Sequence, residues 1–81
     1  MITIAAEEFQ FNELKDGNPV QIRTLVSTLY TDQIRKGNFV EVEGKSEKLK
    51  ATIISDPIII TVPPENGYQE LAVEVAREFA D

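Results

Sequence analysis

Three stretches of this chain alternate apolar and polar residues with the period of two that half-buried strands require. In residues 20–25, Val20, Ile22 and Thr24 alternate with Gln21, Arg23 and Leu25. Pro19 precedes them and suits the first position of a strand, because it has no N–H to give to a ladder. Residues 39–42 follow the turn signal Lys36-Gly37-Asn38, and in residues 48–55 Leu49, Ala51 and Ile53 alternate with Lys48, Lys50 and Thr52. The Gly44-Lys45-Ser46 turn between these two stretches predicts a β-hairpin. After Pro57 the nearly all-apolar run of residues 58–62 predicts a further short strand, ended by Pro63-Pro64. Residues 26–33, rich in Ser and Thr and carrying Tyr30, read as a connection or an extended arm that can order around a ligand or partner.

The two ends of the chain follow other periods. Residues 2–4 predict a short strand or arm. In residues 5–15, Phe9 and Phe11 fit a strand, whereas Ile4, Phe11 and Leu14 fit a helix. The helix is preferred, with Thr3 as N-cap, Glu7 and Glu8 near the positive end and Gly17 as the stop. At the other end Tyr68, Leu71, Ala72, Val75 and Phe79 form a helical stripe, and Asn66 with Gln69 resembles the start of a capping box. This predicts a C-terminal amphipathic helix with Glu70, Glu74 and Glu78 on another face.

At 81 residues the chain is expected to form one domain, residues 1–81, with a core thin enough that a partner or a second copy would add stability. It has neither cysteine nor histidine. Disulfides, thiolate metal sites, the commonest zinc ligand and the commonest general base are therefore excluded, and no catalytic residue, metal site or cofactor is expected. No leader pattern is visible and the apolar run at residues 58–60 is far too short to cross a bilayer, so a soluble cytoplasmic protein without a membrane partner is expected.

Charge divides the chain further. The net charge of -6 is distributed as -3 over residues 1–16, +1 over residues 17–64 and -4 over residues 65–81. Such a field repels polyanions and disfavours non-specific duplex binding, although Arg35, Lys36, Lys45, Lys48 and Lys50 keep a local basic edge. Arg23 can offer a planar fork to a carboxylate, a phosphate or a base edge, with the Thr24 hydroxyl beside it, or can pair with a carboxylate such as Glu74 or Glu78. Arg35 and Lys36, at a turn, can hold a phosphate, although a plain hairpin-entry turn is the commoner role of such residues. Glu70, Glu74 and Glu78 can present an acidic surface to a basic partner, although most rows of this kind are solvated faces.

Taken in order, Gly17-Asn-Pro-Val-Gln-Ile-Arg-Thr24, Ile34-Arg-Lys-Gly-Asn-Phe-Val-Glu-Val42, Lys48-Leu-Lys-Ala-Thr-Ile-Ile-Ser55 and Glu70-Leu-Ala-Val-Glu-Val-Ala-Arg-Glu78 resemble the ASCH family of PUA-like domains. The resemblance implies a small β-barrel with helices packed over it and a cleft suited to RNA or a modified nucleoside. Some members of that family hydrolyse acylated cytidine with a Lys, a Thr and a Glu. Their Gly-Lys-Lys-Thr-like stretch corresponds here to Gly17-Asn18-Pro19-Val20, which lacks the Lys, so the amidohydrolase activity is not carried over. Similar domains continue beyond the position of Asp81 into a further strand, which implies an open sheet edge able to pair with a partner strand or a second copy.

These readings combine into an α+β fold, a small PUA-like twisted sheet or partly open β-barrel of four to five strands, with an N-terminal helix and a C-terminal amphipathic helix. Two functions are carried forward. One is a non-catalytic module binding RNA, a nucleotide or a related ligand through Arg23, Thr24, Arg35 and Lys36. The other is an acidic protein-interaction factor, such as a phage-type inhibitor that occupies a basic nucleic-acid-binding surface, meeting its partner through Glu70, Glu74 and Glu78.

Overall fold

In the computed structural model, which describes residues 2–78, six strands form one sheet that curls into a nearly closed barrel. The chain runs β1 (Ile2–Ala5), α1 (Glu8–Lys15), β2 (Val20–Ser27), a 3-10 turn (Thr31–Gln33), β3 (Phe39–Glu43), β4 (Lys48–Ile53), β5 (Ile58–Ile59) and β6 (Tyr68–Arg77). The sheet order is β1-β3-β4-β6-β2, with β5 also paired to β6. Only the β1–β3 pair is parallel.

The period of two places the core. Ile4, Ile22, Val26, Val40, Val42, Ala51, Ile53, Leu71, Val73 and Val75 all face inward and are buried, and Phe11 and Leu14 of α1 close over them. Each fully buried aliphatic side chain of this kind contributes about 1.5–3 kcal/mol relative to exposure. Among the described residues no polar or charged residue joins this core.

Helix α1 begins where a reciprocal cap forms, Glu7 receiving the backbone N–H of Gln10 while the Gln10 side chain accepts from the Glu7 N–H at 3.2 Å. Thr3, the N-cap expected from the sequence, instead lies in β1, whose register against β3 fixes it opposite Glu41. At the other end of α1, Arg77 Nη1 donates to the Lys15 carbonyl at 2.6 Å, so the last residue of β6 holds the helix C-terminus with a cation.

The C-terminal amphipathic helix does not form. Residues 68–77 are β6, the longest strand, paired with β2 along Tyr68–Val75 and with β4 and β5 on its other side. Its burial alternates strictly, with Leu71, Val73 and Val75 inward and Glu70, Ala72 and Glu74 outward. The helical stripe omitted Val73, which only a strand can bury together with Leu71 and Val75. Glu70, Glu74 and Glu78 misled because a spacing of four keeps residues on one face of a strand as well as of a helix. Phe79, the last member of the expected stripe, lies outside the described residues.

Asn66 does not start a helix either. Asn66 and Gly67 both have positive φ, 52° and 78°, and Glu65 and Tyr68 exchange backbone hydrogen bonds across them at 2.8 and 2.9 Å. This is the tight hairpin connection that Asn-Gly favours, because its twist matches that of the flanking strands. Two further expectations change with it. The described residues are mostly β, with six strands and one short α-helix, in place of an α+β arrangement of four to five strands with an N-terminal and a C-terminal helix. Strand β2 also runs on to Ser27, so that Val26, assigned to a connection, is a core residue.

Candidate functional site

The alternation that buries Leu71 and Val73 turns Glu70 and Ala72 outward, and the β2 register sets Leu25 beside Glu70 and Arg23 beside Ala72. Arg23 therefore lies diagonally across from Glu70 on the convex face. Its Nε donates to Glu70 Oε2 at 2.8 Å and its Nη2 to Glu70 Oε1 at 3.1 Å, a two-pronged contact that fills the guanidinium fork. The Arg23 hydrogen bonds pull the Glu70 carboxyl below its ordinary range, partial burial opposes them, and the guanidinium charge adds to the downward shift. Arg23 is raised above its ordinary value in turn, first by the hydrogen bonds to Glu70 and then by its charge.

A pH dependence follows from the direction of the Glu70 shift. A carboxyl lowered in the folded state contributes stability above its unfolded range and loses it as pH falls through the folded value. In a carbon-detected NMR titration Glu70 is expected to protonate below the ordinary glutamate range, and Arg23→Ala is expected to return it there. An unchanged Glu70 titration in the variant would show that the fork is not the cause.

The residues expected to bind a ligand do not converge. Thr24 lies opposite Leu71 on the inner face, so its side chain points away from that of Arg23. Arg35 and Lys36 sit in the loop ahead of β3, and in the sheet order β4 and β6 separate β3 from β2. Glu70 and Glu74 share the outer side of β6 and Glu78 follows its last residue, with different surroundings. Glu70 pairs with Arg23, Glu78 lies 3.7 Å from Lys50, and Glu74 takes part in none of the ion pairs among the described residues. The basic edge is also partly engaged, since Lys48 lies 3.5 Å from Glu41 and Lys50 Nζ sits 5.1 Å from the centre of the Phe39 ring. Among the described residues no cluster of carboxylates is arranged to hold a metal ion.

The convex side also carries exposed apolar residues. Ile58 stands opposite Ala72 and is 58% exposed, and residues 60 and 61 are held against the Glu70 carbonyl by their N–H groups at 2.9 and 3.3 Å. Leu25 (65% exposed) and Tyr68 (53%) extend the surface. Leu25, Thr61, Glu65, Asn66 and Tyr68 line a groove of about 220 Å³. The Arg23–Glu70 pair thus lies among exposed aliphatic side chains, with further polar groups, Thr61, Glu65 and Glu74, around it.

Sequence reasoning missed this surface because a run such as Ile58-Ile-Ile60 ordinarily reads as a buried strand. The signal that distinguishes it is its flanks: Pro57 and Pro63-Pro64 confine pairing to two residues, as at a sheet margin.

The chain matches no protein-family model, no curated protein and no solved structure. Among the described residues no helix is long and apolar enough to cross a membrane.

Proposed function

We propose that this protein is a non-catalytic interaction module that docks a protein partner on the convex face built by β2, β5 and β6. The observation that carries the reading is the concentration of large apolar side chains there, Leu25, Ile58 and Tyr68, each about half exposed or more. Isolated apolar residues are ordinary on protein surfaces, whereas a group gathered on one face and bordered by polar residues is characteristic of contact sites. Covering one such aliphatic side chain is worth about 1.5–3 kcal/mol, so two or three suffice to anchor a partner. A nucleic-acid reading draws less support, because the Arg23 fork is occupied by Glu70 and the chain as a whole is acidic.

The test is a pair of exposed substitutions compared in cells. Affinity capture with the wild-type protein is expected to recover a defined protein partner that Ile58→Ser loses and Arg23→Ala retains, with folding of both variants checked by NMR dispersion. Saturable binding of short RNAs or nucleotides that Arg23→Ala abolishes and Ile58→Ser leaves intact would overturn the reading.

A further inference from the structure

The docking face carries a charge pattern that selects among partners. Asp56 immediately precedes the Pro57-Ile58 step, Glu65 lines the groove, Glu70 occupies the centre and Glu74 continues the outward row of β6. The 54–57 segment that carries Asp56 is tied to β6 beside Glu74, since Ile54 N–H donates to the Glu74 carbonyl at 2.9 Å and Ser55 Oγ accepts from the Glu74 N–H at 3.3 Å. Against these four carboxylates the described residues of the face set one cation, Arg23, and that cation is already committed to Glu70. Asp56, Glu65 and Glu74 enter none of the ion pairs among the described residues.

Resting on the docking reading above, we propose that the face receives a basic segment of a different protein, one that places an aliphatic or aromatic side chain in the groove between Leu25 and Tyr68 and a Lys or Arg beside Glu65. The groove supplies the apolar contact and the carboxylates supply the sign. Carboxylates with no cation of their own attract a positively charged segment, speed its encounter and fix its register, while like charges placed against them cost affinity. A second copy of this chain is the wrong partner on the same ground. A two-fold contact through this face sets Asp56, Glu65 and Glu74 of one chain against carboxylates of the other, and each chain carries a net charge of -6.

The experiment uses the full chain, labelled with nitrogen-15, and three synthetic peptides of equal length: alternating Lys-Leu, alternating Glu-Leu and alternating Lys-Ser. The Lys-Leu peptide is expected to bind saturably, shifting the amides of Leu25, Glu65 and Tyr68. Glu-Leu is expected not to bind, and Lys-Ser to bind at least about tenfold more weakly for want of the buried side chain. Leu25→Ser and Ile58→Ser, both at exposed positions, are each expected to weaken Lys-Leu binding about tenfold or more. Glu65→Lys is expected to weaken it by a factor that shrinks as salt is raised.

Equal binding of Glu-Leu and Lys-Leu, or a Glu65→Lys variant that binds as well as wild type, would overturn the basic partner and leave the docking face standing. Lys-Leu binding indifferent to both serine substitutions would overturn the docking face as well. Concentration-dependent dimerisation of the protein alone, abolished by Leu25→Ser in sedimentation, would overturn the proposal in favour of a second copy.

Discussion

Replacing Val73 by Asp is expected to leave the chain unfolded, while Glu74→Gln, one residue away, shifts stability by no more than about 0.5 kcal/mol. Val73 is 1% exposed and sits between Leu71 and Val75 on the inner side of β6, facing a core with no polar group among the described residues to receive a carboxylate. The substitution forfeits the burial of a valine, about 1.5–3 kcal/mol, and adds an uncompensated buried charge at several kcal/mol more. A domain of this length has about 4–12 kcal/mol in total, so the sum is comparable to its entire stability. Val73→Ala supplies the graded version, a folded protein whose urea midpoint moves down. A helix over residues 68–79 predicts the reverse, because Val73 then falls off the apolar stripe and Asp is tolerated. Loss of amide dispersion in Val73→Asp with retention in Glu74→Gln distinguishes the two; a well-dispersed Val73→Asp spectrum would exclude the strand.

Gly44→Ala is expected to cost about 1–3 kcal/mol, a large effect for one added methyl. A Cβ built at Gly44 lies 2.8–2.9 Å from three atoms of the Phe11 ring, one of them Cγ. The contact is with the base of a rigid, buried ring, so no small rotation relieves it, and α1 must lift from the β3–β4 turn. The melting temperature is expected to fall by about 4–8 °C for each kcal/mol. In a Phe11→Ala background, which removes Cγ and both Cδ atoms that the new methyl would meet, the same Gly44→Ala step is expected to cost less than half as much. Equal costs in the two backgrounds would mean that Phe11 and Gly44 are not coupled.

The acidic row shows how far the candidate surface was legible. Glu70, Glu74 and Glu78 were legible as residues sharing one side, and Glu70 and Glu74 do share one side of β6, with Glu78 just past its end. Their neighbours were not legible, since Arg23 is separated from Glu70 by 47 positions along the chain, and a structural partner for Arg23 could be read only as some carboxylate such as Glu74 or Glu78, beside the alternative of a ligand. Only the β2–β6 register, which sets Arg23 opposite Ala72, selects Glu70. The pairing of Arg23 with Thr24 as joint ligand groups fails for a local reason that the sequence does contain, because adjacent residues of a strand point to opposite faces.

The sequence by itself determined the elements whose period and punctuation agree. Alternation with Gly and Pro at its ends defined β2 as far as Leu25, β3 and β4, and a glycine after Leu14 and Lys15 ended α1. These features are local, so the residues that cause them are neighbours in the chain. The tertiary structure decided the rest. The segment at residues 68–77 satisfies a helical stripe and a strand alternation at once, and it is a strand because β2, β4 and β5 offer it hydrogen-bonding edges and a core for Leu71, Val73 and Val75 that a lone helix could not fill. The 58–62 run is exposed because the interior is already filled from five strands and α1. Burial is a property of what the rest of the chain has occupied, and no window of sequence around Ile58 contains it.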